Sequence, residues 1–243
     1  MSVALQLYTV RRQLALDFAG TLRRIHEIGY RAVETYPFEI PNAVAAELIA
    51  ASHLEVVAMH CELPLDDALP GVLEAASAFR CQRLIWHGWP RSPEHDSLEG
   101  TQRLAARYNH ASNIARNHGL QLGLHNHWWE FEPVGGVFPY RIFREILEPE
   151  IFLEIDTYWV QTAGLNPAQV IAELANRVQL LHLKDGPAAH GAPMTALGQG
   201  VLNFPAILSA VRSPVDVVVE LDECETDIFD AVKASLHYLD TLR

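Results

Sequence analysis

The sequence predicts an α/β protein built as a single (β/α)8 TIM barrel, and three observations carry that expectation. Eight short β-rich runs alternate with longer helical patterns through all 243 residues. Several runs are apolar almost throughout, as in VVVEL at Val217–Leu221, the pattern of parallel strands buried on both faces. No G-x-G-x-x-G follows the first run and no Walker motif occurs, which argues against an open nucleotide-binding sheet.

The elements follow in order. A strand at Val3–Thr9 leads to a helix at Asp17–Ile28, opened by Asp17 as N-cap and stopped by Gly29. Ala32–Tyr36 is the second strand, and Asn42 is a plausible N-cap for the helix Ala43–Ser52. The third pair is Glu55–Cys61 with Pro70–Ala78, and the fourth is Arg83–Gly88 with Glu99–His118, which Gly119 ends. Gln121–Asn126 precedes Tyr140–Leu147. Ile151–Thr157 precedes Pro167–Ala175, where Asn166 stands before a proline at the first helical position. Val178–Lys184 with Asn203–Val211, and Asp216–Leu221 with Thr226–Leu242, complete eight units. No linker or composition break divides the chain, so residues 1–243 read as one domain.

Charge and composition narrow the function. Thirty acidic residues against 18 basic ones give a net charge of −12, which disfavours a nucleic-acid partner. No apolar run approaches the ~18 residues of a membrane span. Three widely spaced cysteines and an N-terminus without a signal pattern fit a cytoplasmic protein with reduced thiols. Twelve histidines are many for so acidic a chain, and their positions matter more than their number.

Barrel chemistry belongs at the C-terminal strand ends. There the sequence places Gln6 and Tyr8, Glu34 and Tyr36, His60 and Glu62, His87, His125 with His127, Asp156, His182 with Lys184, and Glu220 with Asp222. The spacing of two puts both members of a pair on one strand face. His125, Asp156, His182 and Glu220 lie on four consecutive strands and would converge on one point. That nitrogen and oxygen set suits one divalent cation, with Mn²⁺, Zn²⁺, Co²⁺ and Mg²⁺ all compatible. A carboxylate inside an apolar strand, such as Glu220, needs a cation or a hydrogen-bond network. The other seven histidines, His190 among them, fall on helices or loops and need no functional account.

At these residues the chain resembles the xylose isomerase-like TIM barrels, a group of sugar phosphate isomerases and epimerases. The matching segments are LQLYTVR (Leu5–Arg11), LHNHWWEF (Leu124–Phe131), EIDTYWVQTAG (Glu154–Gly164), HLKD (His182–Asp185) and VVVEL (Val217–Leu221). The resemblance implies a divalent metal held by Asp156, His182 and Glu220, a small carbohydrate substrate, and a family in which homo-oligomers are common. At the fifth strand some members carry a glutamate where this chain has His125, and Glu130 is the competing ligand. That departure keeps two reactions open. One is isomerisation or epimerisation; the other is a lyase reaction on a keto-inositol or 3-keto-glycoside.

Each begins by removing a proton α to a carbonyl, with Glu220 or His127 as base and Lys184 as donor to a substrate oxygen. Glu34, His60, His87, Glu130 and Trp159 are expected to contact the substrate, Trp128 and Trp129 to wall the pocket, and the Gly/Pro-rich loop Gly186–Gly200 to form a lid. No glycine-rich phosphate nest follows the seventh or eighth strand, so a neutral sugar or keto-sugar is favoured over a sugar phosphate.

Overall fold

A computed structural model of the chain describes residues 3–242. Its strands are β1 (Val3–Gln6), β2 (Ala32–Thr35), β3 (Glu55–Cys61), β4 (Arg83–Trp86), β5 (Gln121–His125), β6 (Phe152–Asp156), β7 (Val178–Leu183) and β8 (Asp216–Val219). Every neighbouring pair is parallel, the spatial order is the chain order, and β1 pairs with β8 to close the barrel. The predicted strands all form, most of them one to three residues shorter at their C-terminal ends because the chain there turns into the site loops.

Among the described residues ten α-helices accompany them: α1 (Arg11–Leu16), α2 (Phe18–Ile28), α3 (Asn42–Ala51), α4 (Leu69–Phe79), α5 (Leu98–Asn117), α6 (Pro139–Ile146), α7 (Thr157–Thr162), α8 (Pro167–Leu174), α9 (Phe204–Ser209) and α10 (Ile228–Thr241). The outer helices bury one stripe each; on α5 it is Leu104, Tyr108, Ala111 and Ala115, at the i, i+4, i+7, i+11 spacing of a helix face. Asp17 and Asn166 cap α2 and α8 with their side chains. Asn42 does not cap α3: Pro41 precedes the helix, and the Asn42 amide donates to Glu74 Oε2 at 2.6 Å instead. The short α1 and α7 break out of loops that the sequence pattern left unassigned. Among the described residues no helix is long and apolar enough to cross a membrane.

The barrel interior is what positions the site. Its lower layer is small or apolar: Ala4, Ala32, Ala58, Ile85, Phe152, Leu180 and Val218 pack into one cluster. Gly123 on β5 completes it, because a Cβ there would lie 2.3 Å from the Phe152 ring. The missing side chain is the room that the ring fills. Side chains alternate along a strand, so the next inward-facing residue is two positions on. Those residues are Gln6, Glu34, His60, His87, His125, Glu154, His182 and Glu220, one polar side chain per strand.

Candidate functional site

Above this polar layer opens a cavity of about 470 Å³, lined by Tyr8, Tyr36, Pro37, His60, His87, Trp89, His125, His127, Trp128, Trp159, Lys184, Glu220 and Asp222. At its floor, ligand atoms of His125, Asp156, His182 and Glu220 all lie within 4.8 Å of one another. His182 Nδ1 is 2.7 Å from Glu220 Oε2, and His125 Nε2 is 3.7 Å from Asp156 Oδ2. The Asp156 carboxylate is split between two tasks. Oδ1 accepts the N–H groups of Tyr158 and Trp159 and so caps α7, while Oδ2 is buried and makes no hydrogen bond.

Lys184 is the cation of this arrangement. Its Nζ stands 3.1 Å from Asp156 Oδ2, 2.7 Å from Glu220 Oε2 and 2.9 Å from Asp222 Oδ2. It is nearly inaccessible, so it is not a solvated rim lysine. Three of the site's carboxylates, Asp156, Glu220 and Asp222, surround this one ammonium, and two more, Glu34 and Glu154, are buried against the imidazoles of His60, His125 and His182. Buried charge of one sign is costly, so that excess needs protons on the imidazoles or a divalent cation. Ligands about 2.0–2.2 Å from a common ion would be spaced much as these donors are. The residues therefore fit one divalent cation, by their chemistry and by the buried Asp156 Oδ2, which has an ion pair with Lys184 but no hydrogen bond.

The electrostatics divide the histidines. Burial pushes His125 and His127 well below the ordinary imidazole range; His182 and His60 add to it at His125, and Lys184 adds to it at His127 against the opposing Glu220, so both rings are neutral. Burial also acts on His60 and His182, but the carboxylates of Glu34 and Glu154 outweigh it. His60 rises to about 9, and His182 rises well above the ordinary range with Glu220 adding to the effect. Burial works against Glu220 as an anion, yet Lys184 and His182 hold it well below the usual carboxylate range. Burial raises Asp156 to about 6 in spite of Lys184.

Not every expected contact is in the cavity wall. Glu34 lies beneath it, fully buried, with Oε1 2.7 Å from Gln6 Nε2 and 2.7 Å from His182 Nε2. Glu130 is on the far side of the Trp128–Trp129 corner. It accepts the His127 N–H at 2.9 Å, faces His95 Nε2 at 3.8 Å, and stands apart from the candidate metal ligands. The reason is local: Trp129–Phe131 form a 3-10 turn, which swings Glu130 back under the loop rather than along the barrel axis.

Burial raises the Glu130 carboxyl from 4.5 to about 7, and its neighbour His95 is pushed down to about 4 and carries no charge. A proton on Glu130 thus favours the fold, a contribution present below pH 4.5 and lost as pH rises through about 7. Glu130→Gln should therefore raise thermal stability at pH 8, by roughly 1–3 kcal/mol, and leave it unchanged at pH 4.5. Parallel melts at the two pH values measure this.

Two features of the site were not anticipated. Glu154, two residues before Asp156 in an apolar strand, is fully buried with Oε2 2.8 Å from His60 Nε2 and 3.0 Å from His125 Nδ1. His190 is not an idle loop histidine: its ring packs 4.7 Å from Trp128 and stacks at 6.3 Å on Trp159 over the mouth. The loop that carries it is less free than a lid, because Asp185 pins both of its ends through backbone N–H groups of Gly186 at the start and Gly198, Gly200 and Leu202 at the close.

The profile of the xylose isomerase-like TIM barrels matches residues 22–240. The chain belongs to that family. None of the curated proteins matches it. Among solved structures it is similar to a sugar phosphate isomerase/epimerase from Parabacteroides distasonis ATCC 8503, at 21% identity and TM-score 0.81 over 98% of this chain and 93% of that one. It is also similar to the probable 3-DHS dehydratase AsbF of Bacillus anthracis, at 15% identity and TM-score 0.79 over 99% of both chains. A third relative is the IOLI protein with a bound zinc atom, at 16% identity and TM-score 0.71 over 100% of this chain and 98% of that one. At these identities the likeness carries the fold.

Proposed function

We propose that this protein is a divalent-metal-dependent isomerase or epimerase of a small uncharged carbohydrate, acting by removal of a proton α to a carbonyl. The observation that carries the reading is the convergence of His125, Asp156, His182 and Glu220 from four consecutive strands on the cavity floor. The zinc of the IOLI relative supports the metal, and the sugar phosphate isomerase/epimerase named among the similar structures supports the carbohydrate chemistry. A cation held by these four residues would supply Lewis acidity, polarising a carbonyl and offsetting charge as the proton leaves.

The chain's own groups divide the remaining work. Glu220 is a poor base, since its Oε2 is engaged by His182 and Lys184. His127 is the better one: it lines the cavity, is neutral, and makes no side-chain hydrogen bond, its Nδ1 being buried without a partner. Lys184 Nζ faces Asp156, Glu220 and Asp222 with its three N–H groups, and it reaches a substrate oxygen by releasing one of those carboxylates. Tyr8, Tyr36, Trp89, Trp128 and Trp159 offer faces for the C–H surface of a sugar. The one lysine of the lining is already surrounded by three carboxylates, which leaves little for a phosphate.

One observation favours a lyase as the second reading. His125 stands where a carboxylate would make a symmetric pair with Glu220, and Asp156 Oδ1 is committed to capping α7. A single base suits isomerisation or β-elimination better than exchange of a proton between two opposed carboxylates. Product analysis separates the two, because elimination yields an α,β-unsaturated ketone absorbing in the near ultraviolet and isomerisation does not. With either product, His127→Ala should lower kcat roughly 10²–10⁴-fold while metal affinity stays near that of the parent protein. The parent's kcat/KM should hold through neutral pH and fall only in acid, as His127 takes up a proton. Unchanged turnover in His127→Ala would remove it from the mechanism.

A further inference from the structure

The polar layer has a direction that follows from its hydrogen bonds. Gln6 Oε1 accepts the Tyr8 N–H at 3.1 Å, which fixes the orientation of its amide and turns the NH₂ toward Glu34 Oε1 at 2.7 Å. Glu34 is therefore an acceptor, and the facing His182 Nε2, also at 2.7 Å, is the donor. To take a cation, His182 gives up its second proton, and a ring that keeps its proton on Nε2 offers Nδ1 as its lone pair, the nitrogen beside Glu220. On the next pair of strands the sense is reversed. His125 Nδ1 faces the buried Glu154 at 3.0 Å, and Nε2 is the nitrogen on the Asp156 side.

We infer that Glu34 and Glu154 are positioning residues for the metal centre, which set His182 to ligate through Nδ1 and His125 through Nε2. The inference rests on the reading of His125, Asp156, His182 and Glu220 as the metal ligands. A carboxylate behind a ligand imidazole fixes its tautomer and raises its basicity. The deeper group of His60, His125, Glu154 and His182 also has the spacing of a metal site. It shares both rings with the upper group, so filling both would require two bridging imidazolates. One cation above and a layer of acceptors below leaves each ligand ring one nitrogen for the cation and one for the carboxylates beneath it. His60 Nε2, 2.8 Å from Glu154 and 3.0 Å from Glu34, ties the two acceptors together.

The test combines a direct readout with two variants. In Zn²⁺-loaded protein with ¹⁵N-labelled histidine, long-range ¹H–¹⁵N spectra should show one ligand ring bound through Nδ1 with its proton on Nε2, and another with the reverse pattern. Two rings bound through the same nitrogen type overturn the inference. Glu34→Gln and Glu154→Gln, titrated with Zn²⁺ against a chromophoric chelator, should each bind roughly 10–100-fold more weakly than the parent. Variants that bind as the parent does overturn the inference alone. A parent protein that takes up no divalent ion overturns the reading of the ligands as well. The spectra need no variant, so the question is decided even if a substitution unfolds the barrel.

Discussion

Asp156→Ala is expected to abolish metal uptake and lower kcat/KM by roughly 10³-fold or more, the loss of a Lewis acid worth several kcal/mol in the transition state. The side chain sits at the junction of three systems. Its Oδ2 is one of four candidate ligand atoms, it faces Lys184, and its Oδ1 caps α7. Alanine removes all three contributions, so a second substitution is needed to separate them. Asp156→Asn keeps an oxygen for the cap and loses the charge. It should melt close to the parent and still fail to hold metal. Asp156→Ala should melt a few degrees lower, since a lost cap costs about 1 kcal/mol.

The carboxyl also sets a pH dependence. With its pKa raised to about 6, it must give up a proton to take a cation, and His182 must give one up as well, so metal affinity should rise through pH 6 and go on rising above it. Chelator competition across that range measures the slope, and dialysis against the metal should restore activity to stripped parent protein. Full metal content in Asp156→Asn would show that the ligand set is wrong.

The barrel was legible because its signal is periodic. Eight apolar runs at regular spacing leave few alternatives, and a residue every second position must face inward. The same alternation located His125, Asp156, His182 and Glu220. Applied evenly, it also points to Glu154: FLEID holds two acids on one face, and burial constrains the deeper one at least as strongly as Glu220. Glu34 was visible, but its depth was not. Strand register decides whether a side chain reaches the cavity or stops in the layer below, and β2 and β3 are offset by a register shift at Val33/Glu34 that no local pattern announces. Glu130 lies apart from the candidate ligands because a single 3-10 turn directs it away from them. The packing of His190 on Trp128 and Trp159 depends on a loop closing over the mouth, a contact across 62 and 31 residues that composition does not encode.

Asp185→Ala should produce the largest loss of stability of any single change at the rim. The residue is fully buried directly after Lys184, and its carboxylate accepts four backbone N–H groups: Gly186 and Leu202 on Oδ1, Gly198 and Gly200 on Oδ2. Its own carbonyl accepts from Thr195. Loops this long usually lack internal order, and here one carboxylate supplies it from the centre. Gly200 shows how close the approach is, since a Cβ there would lie 2.1 Å from Asp185 Oδ1. Each donor left buried and unpaired costs about 1–3 kcal/mol, reduced where the loop can relax into water, so about 4 kcal/mol is expected in all. For a barrel of this size that lowers Tm by roughly 10 °C.

Asp185→Asn keeps one acceptor oxygen and should lose about half as much. Activity should fall in step, because the loop carries His190 against the tryptophans at the cavity mouth. Limited proteolysis locates the damage: cleavage confined to 186–202 in folded Asp185→Ala is the expected pattern. Resistance equal to the parent, at an unchanged Tm, would mean that the glycines and the Met194–Glu223 and Val201–Gly186 backbone bonds hold the loop without it.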